Sequence, residues 1–209
     1  MARSLYLLTL GCFLLFSGCC KEIVVEEGSY TFREHNKLYI DAKKLNKLSN
    51  RCYNIYFSSE ENLYLKDSHE IIIKSKWHLS GMNGMATIIQ EGKSTNSSLF
   101  KIKNAENITI ENLTLKASEY KVRPNNALID IDNDTKNNKS IILRKLNLSN
   151  HYAGIWIKRG ENILIEECEL EDNGHQIRLG YLSNKGKIHE YIVNKLIIRN
   201  SNIHDTKIG

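Results

Sequence analysis

The chain has 209 residues, 41% of them hydrophobic, with 29 Lys and Arg against 24 Asp and Glu and a formal charge of +5. That length is enough for one domain with a sizeable core, and with Pro124 as the only proline and no Gly/Ser linker nothing divides it. The modest positive charge favours anionic partners, but no aromatic-basic motif of an RNA-binding type accompanies it, so a nucleic-acid partner is set aside.

The chain opens with MARSLYLLTLGCFLLFSGCCK, in which Arg3 is the only charge before Lys21 and an apolar stretch runs from Leu5 to Phe16. This reads as a secretory leader, too short to span a membrane as a stable helix. Its end, Phe16-Ser17-Gly18-Cys19, resembles the bacterial lipoprotein signal, with Phe16 where leucine is usual. That resemblance implies removal of residues 1–18, acylation of Cys19 and anchoring by several acyl chains. With Cys20 rather than aspartate next, it implies the outer membrane of a double-membraned cell. An ordinary cleaved leader with a chance cysteine is the other reading. Cys20, Cys52 and Cys168 are widely spaced and predict neither a disulfide framework nor a C-x-x-C metal site. Cys168 is expected to pack as a small apolar residue.

Further along, four segments align: NITIENLTL from Asn107, SIILRKLNL from Ser140, NILIEECEL from Asn162 and KLIIRNSNI from Lys195. Each carries apolar or small residues at its second, fourth, seventh and ninth positions, and the starts lie 33, 22 and 33 residues apart. The repeat is therefore about 22 residues, twice expanded, which is the signature of a solenoid. Alternation at period two places each pair on one face of a strand, and the break between them must turn sharply, which asparagine tolerates. A third short strand precedes each segment: LFKI from Leu99, LIDI from Leu128, GIWI from Gly154 and QIRL from Gln176. Three strands of about three residues cannot stand alone; stacked, each pairs with the strand above and below and the inward residues fill one core.

This pattern resembles the right-handed parallel β-helix of the pectate-lyase-like superfamily, over roughly Leu63 to Gly209. The resemblance implies an all-β, three-sheet solenoid over 63–209. Residues 19–62 would be linker and cap, where VVEEGSYTF from Val24 looks like the cap of such proteins. It further implies a substrate groove along the first sheet, the one containing GIWI.

The outward residues of that sheet are Lys101, Asp130, Trp156 and Arg178, followed by Lys103, Asp132 and Lys158; the entering loops carry His151, Tyr152, Asn173 and His175. The expansion from Lys116 to Ala127 overhangs the same edge with Tyr120 and Arg123. An exposed tryptophan is a stacking platform for a sugar ring, and arginine forks a uronate carboxylate. Substrate contacts are therefore expected from Trp156, Lys101, Asp130 and His151. Lyase chemistry needs charge neutralisation, a base and an acid, roles open to Arg178, Lys158 and His175. Mixed Lys/Asp columns that merely neutralise one another are the alternative.

Short family signatures do not fit. Family-28 polygalacturonases use clustered aspartates and a Gly-His-Gly, and here stand Asp130-Ile131-Asp132 and Asp172-Asn173-Gly174-His175-Gln176. HQIRLGYLS from His175 looks like a run in family-6 polysaccharide lyases, a resemblance that brings Ca2+ as the one cofactor implied; no metal ligands are assigned. Asp205 falls where Asn150 and Asp172 fall, and NIHDTKIG offers no closing helix or loop, so the solenoid is expected to lack its C-terminal cap. Two functions stay open. One is a cell-envelope lipoprotein that binds or cleaves an acidic polysaccharide along its first sheet. The other is a non-catalytic adhesion or structural module, or a truncated relative of a polysaccharide lyase.

Overall fold

A computed structural model describes residues 20–66, 69–92, 97–119, 126–133, 140–180 and 192–204. The leader with Cys19, the Tyr120 and Arg123 expansion and the C-terminal end at 205–209 lie outside the described residues. None of the described helices is long and apolar enough to cross a membrane.

The strands of the first sheet are β6 (Ile71–Ile73), β9 (Phe100–Lys103), β11 (Ile129–Asp132), the start of β13 (Ala153–Glu166) and β15 (His175–Leu179). The second sheet stacks β1 (Lys21–Val25), β4 (Tyr53–Phe57) and β7 (Trp77–Gly81). It continues through the first halves of β10 (Ile108–Ala117) and β12 (Ile141–Ser149), the end of β13, and β16 (Ile192–Arg199). The third holds β3 (Lys37–Ile40), β5 (Leu63–Leu65), β8 (Ala86–Gln90), the second halves of β10 and β12, β14 (Glu169–Glu171) and β17 (Asn202–Ile203). Every pairing among these is parallel; only β2 (Thr31–Glu34) runs antiparallel, as a hairpin with β3. The molecule is the parallel β-helix that the repeat requires.

The register follows the repeat residue by residue. Ile108, Ile141, Ile163 and Leu196 stack, as do Leu115, Leu148, Leu170 and Ile203. In the interior coils these side chains are fully buried in one continuous core, so each contributes roughly 2 kcal/mol by leaving water. The sharp turn is carried by the sixth position of each segment, Asn112, Lys145, Glu167 and Asn200, all with φ between 51° and 55°. Asparagine takes this left-handed conformation readily; Lys145 and Glu167 adopt it against their own preference, held by the strands on either side. At Gly81, which closes β7, a Cβ would lie 2.2 Å from the Gly84 oxygen and 2.4 Å from the Asn112 oxygen, so only glycine lets the coils stack there.

Between the first and second sheets, amide side chains bridge coils. Asn133 Nδ2 donates to the Ala105 oxygen at 2.7 Å while its Oδ1 accepts from the Ala105 N–H at 2.8 Å. On the corner leading into the first sheet, Asn173 does the same for Leu148 and His151.

The segment 19–62 is more than a cap, because β1, β3 and β4 are themselves rungs of the second and third sheets. A five-residue helix, α1 (Ala42–Asn46), lies between β3 and β4, capped by Asp41 Oδ1, which accepts from Lys44 N–H at 2.9 Å. The spacing predicts no disulfide framework and leaves only a Cys52–Cys168 bridge open, but it is Cys20 and Cys52 that are bonded, their Cα atoms 4.6 Å apart. The two cysteines precede β1 and β4, and the rung pairing Lys21 with Tyr53 brings them together. Cys168 is free and buried, and burial pushes its thiol up.

Candidate functional site

The outward column of the first sheet forms as its alternation dictates: Asp130 pairs with Lys101 on one side and Trp156 on the other, and Trp156 with Arg178. One position on, the register shifts. Asp132 faces Lys103 and Arg159, so Lys158 is the extra residue of a bulge. Arg159, not singled out by alternation, thereby becomes the partner of Asp132, with Nε 2.7 Å from Oδ1.

Lys158 turns back along the column. Its Nζ lies 2.6 Å from Asp130 Oδ2 and 4.2 Å from the centroid of the Trp156 ring. Arg178 Cζ stands 4.3 Å from the same centroid and 5.4 Å from that of Tyr152. Tyr152 packs edge-on to His175 at 5.1 Å, and its hydroxyl is 3.3 Å from His175 Nε2. The order Asp130–Lys158–Trp156–Arg178–Tyr152–His175 is thus one contact chain that crosses three coils.

Two expectations need correction. Trp156 is not an exposed platform: it is 4% exposed, packs with Ala127, Ala153 and Tyr152, and donates its indole N–H to the Gly180 oxygen at 2.7 Å. Cations already flank its ring, so its role is to hold Arg178 and Lys158 by cation–π attraction rather than to stack a sugar. His151 is fully buried, its backbone N–H donating to Asn173 Oδ1 at 3.0 Å; it belongs to the corner and cannot reach a ligand on the sheet surface. Outward register does not reveal how flanking side chains fold over a position. Lys101 stays partly exposed and is bonded to Glu70 at 3.1 Å, and His175 is exposed.

Asp130 is itself only 3% exposed, and its Oδ1 is buried with no hydrogen-bond partner among the described residues. Burial pushes its carboxyl above the usual aspartate range, against the pull of Lys158 and Lys101. Burial thus favours the protonated form of this carboxyl. Asp132, two residues along the same extended strand, faces the same side about 6.6 Å away at the backbone.

Calcium does not fit this face. It needs six to eight oxygen ligands, and the two aspartates there are each taken by a cationic side chain. Elsewhere Glu169, Glu171 and His204 place their ligand atoms within 4.8 Å of one another at the third sheet. On the second sheet His78 and Arg144 both bond Glu111, at 2.8 and 2.9 Å, and hold its carboxyl low although burial opposes them; this network ties coils together.

The family model described as glycosyl hydrolases family 28 matches residues 73–209, about two thirds of the chain. No curated protein matches the chain. The short aspartate and Gly-His-Gly signature failed to point to this family because the likeness is spread over the whole run of coils.

Proposed function

Because the chain belongs to glycosyl hydrolase family 28, we propose that it binds an acidic polysaccharide along the outer face of its first sheet and hydrolyses it there. The observation that carries this reading is Arg178, whose guanidinium is held against Trp156 and Tyr152 and so is pre-organised to fork a uronate carboxylate. Lys103 is exposed on the same face, and Lys101 is partly so. Glycoside hydrolysis draws on two carboxyl groups, one protonated and one ionised. In this reading Asp130, closed off behind Lys158, parts from that lysine to supply the proton, and Asp132, charged beside Arg159, is the base that activates water. Lyase roles for Lys158 and His175 are less well supported, since Lys158 would have to leave Asp130 to act as a base.

A second, non-catalytic reading has its own support: Asp130 and Asp132 are each engaged by a cation, as in a face built only to hold a ligand. Reducing-end release from polygalacturonate and other uronate polymers separates the two. Hydrolysis requires release that Asp130→Asn abolishes; a binding module gives none but retains affinity. In either case Arg178→Ala should weaken polymer binding at least about tenfold, the loss of one charge-assisted fork. Undiminished affinity in that variant would remove the first sheet as the site.

Attachment to the cell envelope through Cys19 belongs to the same proposal, supported by the leader and its Phe16-Ser17-Gly18-Cys19 end. Intact mass of the protein extracted from native membranes tests it: a chain beginning at Cys19 and carrying acyl groups is expected, and an unmodified N-terminus would refute it.

A further inference from the structure

A cavity of about 220 Å³ lies at the N-terminal end of the solenoid, walled by the β2–β3 hairpin, the start of α1, Lys66 and His69. Its lining includes Phe32, Asp41, Lys43, Lys66 and His69. Phe32 is 40% exposed, unusual for a phenylalanine on a paired strand. It is also rigid. The ring stacks on Tyr39 at 5.5 Å with a 15° interplanar angle, Tyr39 is buried, and the Tyr39 hydroxyl donates to Glu91 Oε2 at 2.6 Å. Lys66 Nζ sits 5.3 Å from the Phe32 centroid and pairs with Glu34. Lys43 makes no ion pair among the described residues, although Asp41 lies two residues before it as the helix cap. The surroundings thus present a fixed aromatic face, an uncommitted ammonium group, and polar side chains at the rim.

We propose that this cavity is a second ligand site, which takes a single six-membered sugar ring bearing a carboxylate. Its volume is that of about seven waters, enough for one ring. The Phe32 face covers the C–H side of the ring, Lys43 meets the carboxylate, and Asp41 and His69 receive or donate to hydroxyls. Six rungs separate β3 from β17, the coil of Arg178, or about 29 Å along the axis. The cavity is therefore far from Arg178, and it meets the first sheet only at the sheet's N-terminal end, where His69 adjoins Glu70, the partner of Lys101. The choice of a uronic acid rests on the polysaccharide reading above; the cavity and its residues do not.

Saturation-transfer NMR with monomeric D-galacturonate tests it, with neutral D-galactose as control. The wild-type protein is expected to bind galacturonate with a Kd of about 1 mM, as one small site allows, and galactose several times more weakly. Phe32→Ala and Lys43→Ala should each weaken galacturonate at least about fivefold, Phe32→Tyr should preserve it, and Arg178→Ala should leave it unchanged. Unchanged binding in Phe32→Ala, loss confined to Arg178→Ala, or no galacturonate signal from the wild type would each overturn the proposal. Phe32-dependent binding of the monomer by a protein that fails to bind any polymer would uphold the cavity while refuting the first-sheet reading.

Discussion

Replacing Lys158 by methionine keeps most of the apolar stem and removes the charge beside Asp130. The aspartate side chain is 5% exposed and its other oxygen has no hydrogen-bond partner among the described residues, so the carboxylate cannot turn to water. It must stay charged and unpaired, at a cost of about 3–5 kcal/mol, or take up a proton. The second route sets the ceiling. From an ordinary aspartate value of 3.8, protonation at pH 7 costs about 4 kcal/mol, and at pH 5 about 1.5 kcal/mol. The sign follows from linkage. Because burial raises the folded-state value, the folded protein binds the proton more tightly than the unfolded chain, and Asp130 lowers stability as pH rises above 3.8. Lys158→Met should widen that window upward. Its destabilisation, read from urea unfolding by circular dichroism at pH 5, 6 and 7, should grow by roughly 1.4 kcal/mol per pH unit. Asp130→Asn in the same background should abolish the pH dependence. A loss that is flat with pH, or below about 0.5 kcal/mol at pH 7, would refute the reasoning, because it would mean that Asp130 is hydrated.

Gly81→Ala should destabilise by about 3 kcal/mol or more, because the new methyl meets two backbone oxygens that belong to different turns; a shift in the urea midpoint measures it. Replacing both Cys20 and Cys52 by serine frees a loop of sequence separation 32 and should cost about 3–4 kcal/mol, seen as the difference between the variant and the oxidised wild type.

How far the sequence could be read depended on what each feature obeys. The fold rests on a rule of period two, and that rule held at Ile108, Ile110, Leu113 and Leu115 and at their equivalents in the next coils. The first-sheet column followed from the same rule as far as Arg178. The reading ended where contacts cease to be periodic. A bulge after Ile157 handed Asp132 to Arg159, and no alternation foretells an extra residue. Trp156 points outward as expected, yet it is covered by neighbours whose side chains reach it along and across the coils. The first coils were missed because the hairpin and α1 interrupt them, so Ile23, Val25, Ile55 and Phe57 never line up as a repeated segment. The disulfide was invisible for the same reason, since only the stacking of β1 on β4 makes its cysteines neighbours.

That disulfide also has a mechanical meaning. A terminal coil is the easiest part of a solenoid to pull away, since it is held from one side only. Tension applied at the N-terminus would otherwise peel β1 from β4 one bond at a time, beginning at Lys21 opposite Tyr53. The bridge sits just ahead of that first pair, so the load passes through a covalent link into the chain before β4, which is clasped between β1 and β7. Force delivered from the N-terminal side is thus borne by a rung paired on both sides, and β1, the first strand among the described residues, is left unstressed.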